Sequence, residues 1–192
     1  MEKCGDILVY IQEKVGGIIM NNRTKQMVYA ALLTALAIII PIQFSFLRVY
    51  IPPFSATLAA HVPMFMAMLI SPMTAVVVGV GSTLGFLFTG LDIAVVCRAA
   101  THIVVGFVGA RIILSSSNYA KAAIITAPIH GLLEALVVIP FVGLDFYQLV
   151  VVTGVCGMIH HSIDSVIAGV LVQAISKARR TSFYNTFKSV NS

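Results

Sequence analysis

Apolar residues run along this chain in six blocks, at about 26–43, 55–70, 72–90, 92–114, 119–140 and 148–176, broken by FSFLRVYIPP, SPM, TGLD, SSSNYAK and a short GLDFYQ link. A bilayer core needs roughly 20 apolar residues per helical crossing. The pattern therefore predicts an all-α integral membrane protein, a compact bundle of six transmembrane helices. Pro52, Pro53, Pro72 and Pro140 fall at block edges, where a missing amide donor does least harm. The opening stretch MEKCGDILVYIQEKVGGIIMNN reads as an amphipathic segment over 1–22, broken at Gly16-Gly17, of the kind that lies on a membrane surface. The membrane domain is then 23–178, followed by a basic cytoplasmic tail, 179–192. No secretory signal and no internal repeat is read.

Composition agrees with lipid as the solvent: 59% of residues are hydrophobic and 10% charged, against about 25% charged in soluble domains. The formal net charge of +5 changes the picture through its placement. With a cytoplasmic N-terminus, Lys3, Lys14, Arg23, Lys25, Arg111, Lys121, Lys177, Arg179, Arg180 and Lys188 fall inside, leaving Arg48 outside and Arg98 within the membrane. That asymmetry predicts both termini on the cytoplasmic side. No basic run is interleaved with aromatic platforms, so nucleic acid is not an expected partner. The three cysteines, Cys4, Cys97 and Cys156, form no CxxC pair and give no disulfide framework.

Candidate chemistry lies in the polar residues left inside the apolar blocks. All five histidines are there, His61, His102, His130, His160 and His161, with Arg98, Glu134 and Asp164. Three blocks repeat a spacing of four, Arg98/His102, His130/Glu134 and His160/Asp164, which puts both members on one helix face. At about 1.5 Å per residue, Arg98 and Glu134 lie roughly 10 Å below the outer ends of their helices, His61 about 12 Å, and His102, His130 and His160 roughly 15–18 Å. Charges at such depth face protein or a cavity, so the stripes predict a pocket open to the outside and closed below. Helix-to-helix hydrogen bonding by single histidines, and simple pairing of Arg98 with Glu134, are the structural alternatives. Asp164, the deepest, reads as a structural residue orienting His160 or His161. The spacing of Cys156, His160 and His161 is not diagnostic of metal, and no metal or other cofactor is expected. Ser162 beside His161 points about 100° away on a helix, a poor nucleophile and base, so no catalytic residue is assigned and the chain is not read as an enzyme. The glycines of GVGSTLGFLFTG match no phosphate loop and read as close helix packing.

The first block carries AALLTALA at 30–37, a strip of small residues around Ala31 and Ala35 that permits close approach of another helix. Here the chain resembles the substrate-binding S-components of energy-coupling factor (ECF) vitamin transporters, over roughly residues 25–178. IPPFSATLAAHVPMFMAMLISP (51–72) and CRAATHIVVGFVGA (97–110) resemble the niacin-specific branch. The resemblance implies that Ala31 and Ala35 dock onto a transmembrane coupling subunit, which works with two ABC ATPase subunits. It implies that FSFLRVYIPPFS acts as a lid, with substrate beneath it among the fourth, fifth and sixth helices. The place is the bacterial plasma membrane.

A small planar anion such as nicotinate suits that reading. Its carboxylate fits the guanidinium fork of Arg98, and its ring nitrogen fits a donor from His61, His102 or His130. Phe44, Phe46, Tyr50 and Phe54 are available as walls, and Glu134 and His160 complete the candidate binding set. With no phosphate loop in the chain, energy comes from partners. Two alternatives remain: a proton-coupled secondary carrier using the same acids and histidines, though such carriers show internal repeats, and an S-component for another vitamin or a metal ion.

Overall fold

The computed structural model describes residues 22–187; the expected surface segment at 1–22, Asn22 apart, and the end of the basic tail lie outside them. Six helices form among the described residues: α1 (Asn22–Gln43), α2 (Val62–Met68), α3 (Pro72–Leu87), α4 (Ile93–Ser116), α5 (Tyr119–Val142) and α6 (Cys156–Ala178). A π-helical stretch, Tyr147–Val155, runs directly into α6. Between α1 and α2 the chain forms an antiparallel hairpin of β1 (Arg48–Ile51) and β2 (Phe54–Thr57), with Ile51 opposite Phe54.

Among the described residues, four helices are long and apolar enough to cross a membrane: Arg23–Gln43, Ile93–Ser116, Tyr119–Val142 and the continuous Tyr147–Ala178. The all-α membrane bundle is as expected, while two of its six helices, α2 and α3, are shorter than a spanning helix. The block at 55–70 divides into strand β2, a turn through Ala59 (φ 69°) and the seven-residue α2. Every residue of α2 is buried, because it packs on α1, α3, α4 and α6. A helix enclosed by protein reads as apolar on all faces however short it is. The 16-residue α3 rises about 24 Å, less than a bilayer core of about 30 Å.

Helices that follow one another around α2 are neighbours in space, α1 on α3, α3 on α4, α4 on α5 and α5 on α6. Local chemistry sets their starts. Ser71 caps α3 by accepting from Thr74 N at 3.1 Å, with Pro72 at the first helical position, where its missing N–H is no loss. Asn118 caps α5 by accepting from Lys121 N at 2.8 Å. After α6 the chain turns back: Phe187 is buried against Tyr29 with rings 5.4 Å apart, and Arg179 Nη1 donates to Tyr29 Oη at 2.9 Å.

The glycines of α3 set its distances to both neighbours. A Cβ at Gly79 would lie 2.8 Å from the backbone of Ile103 on α4, and one at Gly85 would lie 2.8 Å from that of Ile38 on α1. Backbone cannot swing aside as a side chain can. Gly79→Val is therefore expected to lower stability by about 1–3 kcal/mol, read as a lower unfolding temperature of the purified protein in detergent, with Gly79→Ala falling between it and the wild type.

Candidate functional site

Helices α4, α5 and α6 turn their paired polar residues toward one interior. Arg98 Nη2 donates to Glu134 Oε1 at 2.8 Å, an ion pair buried at both ends. Its Nη1 donates upward to the hairpin carbonyls of Pro53 at 3.2 Å and Ser55 at 3.4 Å. The guanidinium carbon stands 4.7 Å from the centre of the Phe54 ring. One side chain thus links α4, α5 and the hairpin. The hairpin is tied on its far side by Arg48, whose Nε donates to Thr57 Oγ1 at 3.1 Å and whose guanidinium reaches the Pro41 carbonyl at the end of α1.

Below that pair the imidazoles gather around His61. Its Nδ1 lies 2.9 Å from Asp164 Oδ2, and its Nε2 lies 2.9 Å from His130 Nε2. Its ring centre is 4.5 Å from that of His102 and 4.6 Å from that of His160. Asp164 also accepts the backbone N–H of Ala59 at 2.8 Å and of His61 at 2.9 Å. It thereby supplies from α6 the acceptor that the start of α2 lacks, since His61 makes no side-chain cap. His160 Nε2 stands 3.5 Å from the same carboxylate. The residue Asp164 chiefly orients is His61, while His161 bonds Thr126 Oγ1 at 2.9 Å instead.

Ser55, Ala60, His61, Phe86, Arg98, His102, Glu134 and His160 are among the residues that line a small cavity at this level. Its volume of about 10 Å³ is room for one water. The hairpin leaves the expected pocket little room, because Arg98 holds the carbonyls of Pro53 and Ser55 against it. Three buried polar atoms of its lining make no hydrogen bond: Arg98 Nε, Glu134 Oε2 and Ser55 Oγ. Above the hairpin turn lies a groove of about 510 Å³ lined by Pro52, Pro53, Asp92, Phe141, Asp145 and Gln148, among others. Pro53 belongs to both levels, with its carbonyl on Arg98 below.

Of the residues the sequence singled out, Arg98, His102, His61, His130, Glu134 and His160 come together in one connected cluster, and Phe54 covers it. Tyr50 does not join them. It is exposed and donates to Asp92 Oδ2 at 2.8 Å, a bond that raises the Tyr50 pKa above its ordinary value. Phe44 and Phe46 are exposed and lie against each other, 5.9 Å between ring centres. The cavity wall they were expected to supply comes from Phe86. Ser55, Ser82 and Thr101 were missed, because a hydroxyl among apolar residues gives no periodic signal. Ala31 and Ala35 are exposed on α1, whose inward face carries the buried Leu33 and Ala37.

Apolar helices closed around a buried, charged and imidazole-rich cavity define a multi-pass membrane protein with an internal polar site. No family model matches the chain, and no solved structure matches it. Among curated proteins, the niacin transporter NiaX of Lactococcus lactis subsp. cremoris is 31% identical over 185 residues, covering 88% of this chain and 82% of that protein. The chain belongs to the family of that transporter, the S-components of ECF transporters, multi-pass proteins of the bacterial plasma membrane.

The carboxylate of Asp164 accepts three N–H groups that nothing else satisfies. Asp164→Ala is expected to lower stability by about 3–5 kcal/mol, in the range for removing one partner of a buried pair. Chemical denaturation in mixed micelles, followed by α-helical circular dichroism, measures it.

Proposed function

We propose that this protein is the substrate-binding subunit of an ECF-type importer for niacin, taking nicotinate from outside the cell and delivering it with a transmembrane coupling subunit and two ABC ATPases. The observation that carries the reading is the cavity lined by Arg98, Glu134 and Ser55, of which a buried guanidinium N–H, a carboxylate oxygen and the serine hydroxyl are unpartnered. Buried polar atoms are normally satisfied, so an orphaned set around one cavity fits a polar ligand. The similarity to a niacin transporter supports the substrate. The excess of Lys and Arg on one side of the bundle supports termini on the cytoplasmic side and the hairpin outside.

A cavity that holds one water does not admit a pyridine ring, so binding requires the hairpin to lift. Lifting frees Arg98 Nη1 from the carbonyls of Pro53 and Ser55, and the Nη1–Nη2 edge of the guanidinium then offers donors to a carboxylate. Phe54 and Phe86 are placed to bound the ring, and His61, His102 or His160 to meet its nitrogen. When the hairpin closes again, its return bonds to Arg98 seal the ligand from the outer groove.

Arg98→Lys keeps the charge and loses the planar fork; truncating a buried charge-pair partner typically removes about 2–5 kcal/mol, or about 30-fold or more in affinity. Calorimetric titration of the purified wild type and Arg98→Lys with nicotinate is expected to show that loss, with nicotinamide binding the wild type far more weakly. Retention of nicotinate binding in the double variant Arg98→Met, Glu134→Gln would make the arginine a structural partner only and overturn the clamp.

Ala31 and Ala35 stand on the exposed face of α1, away from the cavity. Ala35→Phe is expected to abolish uptake of labelled nicotinate by cells that express the complete importer, while the isolated subunit still binds nicotinate as the wild type does. Loss of binding together with uptake would assign the strip to packing within this chain.

A further inference from the structure

The niacin reading asks one hydrogen-bond donor of an imidazole cluster that holds more. His61, at the start of α2, His102 on α4 and His130 on α5 are each no more than 3% exposed. Each has its Nδ1 on an oxygen. His61 Nδ1 lies 2.9 Å from Asp164 Oδ2, His102 Nδ1 2.8 Å from Ser82 Oγ, and His130 Nδ1 3.3 Å from Thr101 Oγ1. Asp164 accepts two backbone N–H groups as well, so His61 Nδ1 carries the proton of that contact. Thr101 Oγ1 donates its own proton to the Arg98 carbonyl at 2.6 Å, which leaves its oxygen to accept from His130 Nδ1–H. Both rings then turn a bare Nε2 toward each other at 2.9 Å. Two lone pairs at that distance repel until a proton or a metal ion is shared between them.

The third imidazole completes the set. One nitrogen of each of His61, His102 and His130 lies within 4.8 Å of the other two. We propose that these three histidines form a binding site for one divalent transition-metal ion of the zinc, cobalt or nickel class. At metal–nitrogen distances of about 2.0–2.1 Å, two ligands of a tetrahedral site stand about 3.3 Å apart, so the 2.9 Å pair needs only a small separation. Neutral imidazoles favour these metals over magnesium or calcium, which take oxygen ligands. An oxygen behind each histidine fixes ring orientation, as the partners of metal-bound histidines usually do. A second group of ligand atoms, His61, His160 and Asp164, also lies close together. Both oxygens of Asp164 already serve N–H groups there, so the carboxylate acts behind His61 and not on the metal. The site shares His61 and His102 with the lining of the cavity proposed for niacin, but a metal ion can be tested on the protein without nicotinate.

The test is Co²⁺ titration of the full chain, purified in detergent with its affinity tag removed, stripped with a chelator and free of nicotinate. One Co²⁺ per chain is expected, with the visible ligand-field bands of a four-coordinate nitrogen site and displacement by Zn²⁺. His102→Gln is expected to weaken binding by at least about tenfold and Ser82→Ala by about tenfold, while His160→Gln leaves it unchanged. Thermal unfolding of each variant shows that it is folded. A folded wild type that takes up no Co²⁺ overturns the proposal. So does binding that His102→Gln and Ser82→Ala leave unchanged, or that His160→Gln abolishes.

Discussion

The carboxylate of Asp164, reaching from α6 to the start of α2, is the contact on which the interior depends. A seven-residue helix is far too short to hold itself together, since an isolated helix is marginal below about 12–15 residues. Here the backbone N–H groups of Ala59 and His61 find their acceptor 105 and 103 residues away in sequence. The negative charge also meets the positive end of the short helix. Because the same carboxylate takes His61 Nδ1, the placement of α2 and the orientation of the central imidazole are one event.

Above that level the organising group is Arg98. A guanidinium removed from water needs both charge and hydrogen-bond partners, and it finds them in three places: Glu134 on α5, two carbonyls of the hairpin, and the face of Phe54. The hairpin is thus held by the residue it covers. The hairpin carbonyls carry only partial charges, so they form the weaker side of this arrangement and the ion pair the stronger.

Much of this was legible in the chain. The starts and ends of α1, α4 and α5 follow the apolar blocks, as does the continuous helix of the π-helical stretch and α6, and Ser71-Pro72 marks the start of α3. The spacing of four was the most informative signal, because it named three inward faces that the structure brings together. The block at 55–70 was not legible. Its residues are apolar throughout, and an unbroken apolar run does not distinguish a buried strand and short helix from a spanning helix. Nor could any local pattern join Asp164 to His61, or Ser82 and Thr101 to their histidines, since those partnerships exist only once separate helices are side by side. The aromatic residues of the hairpin were overread for a related reason: β1 is the exposed strand and β2 the buried one, so Tyr50 stays at the surface while Phe54 is covered.

The fold back of the last described residues bears on the protein's biogenesis. Arg179 and Phe187 meet Tyr29 on α1, and the Arg179 contact spans 150 residues. At ribosomal rates of about 5–20 residues per second, these partners emerge roughly 10–30 s apart. During that interval α1 sits in the bilayer with α3 as its main neighbour, joined through Gly81 and Gly85. The first of the described helices is therefore among the last to be fastened, and its remaining open side is available to another membrane helix until Arg179 and Phe187 have been made.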